Sequence, residues 1–66
     1  MKRTTFSVEH PDGPLRFTFW RDSRPPPAWL LQDHEGYIRT LAPTWIDSIP
    51  MIRRIVENYG GSCNIS

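Results

Sequence analysis

Sixty-six residues, one cysteine and a formal net charge of +1 exclude more than they establish. A chain this short holds one domain and one small core, burying only about 60% of the surface its unfolded form exposes, and its lone thiol makes no intrachain disulfide. Near-neutral charge removes the global electrostatic case for nucleic acid or an anionic membrane.

Eight aromatic residues, three Trp, two Tyr and three Phe, are the available support for so small a core, because each ring buries a large area at little entropic cost. Seven of the eight basic residues are arginine, the cation better suited to interfaces. The chain opens on methionine and reads as a whole frame. It has neither a secretory signal nor an apolar stretch of membrane-spanning length, so a cytoplasmic location is the expectation.

Residues 4–10, TTFSVEH, alternate with period two, placing Phe6 and Val8 on one side of a half-buried strand. PDGP follows as a turn, with Asp12-Gly13 its strongest signal. LRFTFW alternates again, with Leu15, Phe17 and Phe19 facing the core and Arg16, Thr18 and Trp20 facing away. These segments predict a hairpin over 4–20. The run RDSRPPP, residues 21–27, cannot donate ladder hydrogen bonds from its three prolines and predicts an extended polyproline II corner. Beyond it, 28–33 and 37–42 flank DHEG, where Gly36 suits a left-handed turn position. A second hairpin is therefore expected over 28–42, with Leu31, Ile38 and either Trp29 or Leu30 inward.

The period then changes. Trp45, Ile49, Ile52, Val56 and Tyr59 line one face of a helix. Pro50 suits a first turn, so the N-cap is placed at Asp47 or Ser48, the helix at about 48–59, and the stop at Gly60-Gly61. The fold class is α+β: a ββββα domain over residues 1–61, two hairpins in one antiparallel sheet packed on a C-terminal helix, with 62–66 as a flexible tail.

No catalytic constellation stands out, and enzyme activity is not expected. His34 lies in DHE, but a solvated polar turn explains that better than a metal site lacking convergent ligands. Cys63 stands beyond the helix with no base beside it. CNIS matches a prenylation signal in form only, since Asn64 is a poor aliphatic position and no polybasic run precedes it. NIS is a sequon without a secretory route. PPPAW lacks the P-x-x-P spacing of a proline-rich ligand. No cofactor and no metal are called for.

What remains is a surface. Arg16 and an exposed Trp20, with Arg39 joining them, and Arg53-Arg54 on the helix are the expected partner-binding residues, because Trp and Arg dominate interface hot spots. The functional expectation is a small binding module, a regulator or inhibitor of phage or mobile-element type that acts on a protein partner. A nucleic-acid-binding accessory using the same arginines and rings is the alternative. A homodimer through a strand edge or sheet face is the third.

Overall fold

Period-two patterning needs a partner strand, and each segment finds the one before it. In the computed structural model, which describes residues 2–62, Arg3–Val8 (β1), Leu15–Asp22 (β2), Ala28–Gln32 (β3) and Ile38–Thr40 (β4) form one antiparallel sheet in the order β1-β2-β3-β4. The helix Trp45–Asn58 (α1) follows and packs on β3. The ββββα arrangement is the expected one, and no helix is long and apolar enough to cross a membrane among the described residues.

The turns use the chemistry legible in the chain. The His10 carbonyl accepts from the Gly13 N–H at 3.0 Å, and the Asp33 carbonyl accepts from the Gly36 N–H at 3.1 Å. Both glycines have positive φ, +113° and +93°, which side chains resist. The triple proline plays a different part from the one expected. Asp22 lies opposite Ala28 across the ladder, so residues 23–27 close a middle hairpin and the sheet is one continuous meander. Asp22 starts that loop by accepting from the Arg24 amide at 3.0 Å and its guanidinium at 2.8 Å. Pro25 and Pro26 are joined by a cis bond.

Register decides the faces. Phe6 opposes Phe17, Thr4 opposes Phe19, and Phe19 opposes Leu31, all toward α1. Val8, Phe17, Leu31, Leu41, Ile52 and Val56 form the buried cluster, with Phe6, Leu15, Phe19, Trp29 and Trp45 packed around it. Of the second-hairpin core residues expected, Leu31 and Trp29 are placed correctly and Ile38 is not. Ile38 pairs with Gln32 on the face away from α1 and is 57% exposed, while Arg39 takes the rung beside Leu31.

The helix begins one turn earlier than Pro50 suggested. Thr44, not Asp47 or Ser48, is the N-cap, its hydroxyl accepting from the Asp47 amide at 3.3 Å. Ser48 is instead fully buried and donates to the Thr44 carbonyl at 2.7 Å while accepting from the Ala42 amide at 3.2 Å. Those bonds tie the first turn to the chain leaving β4. Trp45, stacked on Phe19 with centroids 4.7 Å apart, adds an apolar anchor. Together they hold a helical turn upstream of a proline that forfeits its own backbone bond.

At the other end, the Gly60 N–H donates to the Glu57 carbonyl and the Gly61 N–H to the Val56 carbonyl, at 2.9 and 3.1 Å. This pair of bonds, with Gly60 at φ +82°, is a Schellman stop. Gly61 then crosses the core so closely that a Cβ there would stand 2.5 Å from Val8 Cγ1 and 3.3 Å from Val56 Cγ1. Both valines are buried and stiff, so Gly61→Ala is expected to destabilise the fold by about 2 kcal/mol, read as a lowered urea midpoint. An unchanged midpoint would show that the chain does not pass there. Just beyond the close approach, Ser62 bridges to Glu9, which directly follows β1. Met1 and residues 63–66, including Cys63 and CNIS, lie outside the described residues.

Candidate functional site

Three polar or exposed constellations stand out on this frame. The first joins the second hairpin to the end of the helix. Asp33 directly follows β3, with its side chain fully buried. One carboxylate oxygen, Oδ1, accepts from the Glu35 and Tyr37 amides at 2.9 and 3.0 Å. The other, Oδ2, accepts from Arg39 Nη1 at 2.6 Å and from the Tyr59 hydroxyl at 2.7 Å. Arg39 also donates to the Tyr59 hydroxyl at 3.2 Å. Burial pushes the Asp33 carboxyl up, but the bonds from Tyr59, Arg39 and the two amides outweigh it and hold the group at about 2. The Tyr59 hydroxyl is pushed up, chiefly by its bond to the Asp33 carboxylate. The His34 ring stands edge-on to Tyr59 at 4.8 Å.

The Asp33 carboxylate, the Arg39 guanidinium and the Tyr59 hydroxyl are thus engaged with one another and with the turn amides. The role of the cluster is to lock a turn onto a helix end. Arg39, expected on the outer face beside Trp20, is therefore on the α1 side and engaged internally.

The second constellation is the sheet face away from α1. Arg16, Thr18 and Trp20 do point there, but Trp20 is 4% exposed. Two cross-strand neighbours, Arg3 and Leu30, flank the ring, and the Arg3 guanidinium sits 4.2 Å from its centroid. Such a cation–π cap shields the indole. Trp20 is thus not the exposed anchor expected of it. Arg16 is exposed opposite Ser7, about 13 Å from Trp20 at the rise of a strand. The cation that belongs with the ring is Arg3, and only the register between β1 and β2 reveals that.

The third is the outer side of α1. Residues 46, 50 and 54 repeat at helical spacing opposite the buried Ile52 and Val56. Ile46 is 77% and Met51 40% exposed. A hollow of about 330 Å³ lies between Pro50, Met51, Arg54 and Ile55. Arg53 and Arg54 are both exposed here, and Arg54 lines the hollow. The structure therefore divides the five expected partner residues among separate surfaces: Arg16 and Trp20 on the sheet, Arg39 in an internal network, Arg53 and Arg54 on the helix. Ile46 was missed because the helix was expected to start after it, whereas Met51 lay within the expected helix and was passed over in favour of the arginines.

Among the described residues, no three His, Cys, Asp or Glu side chains come together as a group that could hold a metal ion. Comparison with known proteins finds nothing similar: no family model, no curated protein and no solved structure matches the chain.

Proposed function

We propose that this protein is a non-enzymatic binding module, a cytoplasmic regulator or inhibitor that seats a partner protein on the outer side of α1. The observation that carries this reading is the exposure of Ile46 at the start of a well-capped helix, continued by Met51 beside the hollow. Scattered apolar residues on a surface need no explanation. Here, though, Met51 and Ile55 line a hollow together with an exposed arginine, and Ile46 stands one turn before the Pro50 that closes it, all on one rigid element. That combination matches the apolar centre and Arg-bearing rim of a protein interface. Arg54 at the edge of the hollow complements a partner segment carrying an apolar side chain with a carboxylate nearby.

The test compares affinity capture by the tagged protein, by an Ile46→Asp/Met51→Asp variant and by an Arg16→Ala control on the sheet face. A specific partner should be retained by the wild type and the control. The helix variant should bind it at least about thirtyfold more weakly, as removal of two hot-spot side chains implies, with an unchanged circular dichroism spectrum. Equal retention by the folded helix variant would remove this surface. Sedimentation of both forms over a concentration range distinguishes a foreign partner from a second copy of the chain.

A further inference from the structure

The sheet is wider than the helix that covers it. α1 packs on β3, so the far end of β1 and β2 on the same face stays open. An open cleft of about 610 Å³ lies there, with Lys2, Thr4, Phe19, Arg21, Ser23 and Trp29 around it. The register explains the gathering. Thr4 opposes Phe19 and Arg21 opposes Trp29, and Lys2 precedes β1 at the position that would continue the ladder opposite Arg21.

Two features of this cleft point to a ligand. The first is electrostatic. Like charges across a strand pair repel, and neither Lys2 nor Arg21 makes an ion pair among the described residues. Among the described residues, no carboxylate lines the cleft. The nearest acid in sequence, Asp22, points to the other face and is held by Arg24. Folding thus concentrates two cations without a counter-charge, an arrangement that an anion would relieve. The second is aromatic. Phe19 and Trp29 have centroids 6.1 Å apart, and both rest on Trp45, at 4.7 and 4.9 Å. The rings are only partly buried, so a rigid, backed aromatic wall stands next to the two cations, with the Thr4 and Ser23 hydroxyls beside it.

We infer that this cleft binds a nucleotide unit, its phosphate held by Lys2 and Arg21 and its base stacked on the Trp29 and Phe19 wall. A cation pair fits the phosphate, an aromatic face fits any base, and the volume falls in the range of small-ligand sites. The same unit is offered by a free mononucleotide and by a single strand of nucleic acid. The inference is independent of the outer side of α1 and goes beyond the protein-binding reading.

Titration of the isotope-labelled protein with adenosine 5′-monophosphate, followed by amide chemical shifts, is the test. Shifts should gather at residues 2–4, 19–23 and 29. Adenosine alone and inorganic phosphate alone should each bind at least about tenfold more weakly than the nucleotide, since each engages only half of the cleft. A Lys2→Ser/Arg21→Ser variant alters only exposed side chains, so its spectrum should remain that of the folded protein, while its affinity for the nucleotide falls at least about tenfold. The oligonucleotide (dA)8 identifies the source: binding at least tenfold tighter than the mononucleotide assigns a single strand, and equal or weaker binding assigns a free nucleotide. Phosphate binding as tightly as the nucleotide, full affinity in the double variant, or no shift with either nucleotide or (dA)8 at millimolar concentration would each overturn the inference.

Discussion

Asp33→Ala is expected to destabilise the protein by about 3 kcal/mol, because it removes a buried carboxylate and leaves its partners without an acceptor. Four bonds end on that group, two from the turn amides of Glu35 and Tyr37, one from Arg39 and one from Tyr59. A domain of this length has a total stability of roughly 3–10 kcal/mol, so the loss is a large share of it. Tyr59→Phe keeps the ring and deletes one donor; it should cost about 1 kcal/mol. Chemical denaturation of the three proteins checks both values. A loss below 1 kcal/mol for Asp33→Ala would show that the carboxylate does not hold the turn to the helix.

The same residue sets an acid limb. The Asp33 carboxyl lies at about 2 in the folded protein against an ordinary 3.8, so its contribution is fully present above pH 3.8 and is lost as the pH falls through about 2. Asp22 is also held at about 2, by the hydrogen bond from the exposed Arg24, and it is retained in the Asp33→Ala variant. The melting temperature of the wild type should therefore fall more steeply between pH 4 and 2 than that of the variant. Parallel curves would exclude Asp33 as the source.

Ile52→Ala is the second substitution with a large expected effect, about 3–4 kcal/mol. Ile52 is completely buried at the centre of α1, in the same cluster as Phe17, Leu31 and Val56. Truncation would leave a void between helix and sheet that neither rigid element can readily close. Ile46→Ala on the outer side of the same helix should change stability by less than about 0.5 kcal/mol. The contrast separates packing from helix propensity, since both substitutions place alanine in the same helix. Similar losses at the two positions would mean that α1 is not seated as described.

Patterning made much of this fold legible. Phe6, Val8, Phe17 and Phe19 alternate cleanly, and Ile49, Ile52 and Val56 keep a helical phase, so their faces could be assigned without neighbours. The second hairpin resisted because Trp29-Leu30-Leu31 is continuous and β4 is only three residues long, too short to declare a phase. Ile38 and Arg39 were consequently exchanged between faces. Pro50 misled for a different reason. As a local signal it marks a first turn, but Thr44, Ser48 and Trp45 form contacts that outweigh it, and two of those reach residues outside the helix. Of the candidate surfaces, Arg53 and Arg54 could be placed from the helix alone. Arg3 over Trp20, and Lys2 beside Arg21, depend on which residues meet across strands, and register is a tertiary property.

Because each strand pairs with its immediate predecessor, the sheet can assemble in the order in which the ribosome delivers it. Its greasy side, with Phe6, Phe17, Phe19 and Leu31, then stays uncovered until α1 emerges, since among the described elements α1 is the only lid for it. During synthesis the nascent chain therefore passes through a stage in which a nearly finished sheet is sticky and open. Truncations that stop short of Tyr59 would preserve that stage, trading a folded monomer for a species prone to clump.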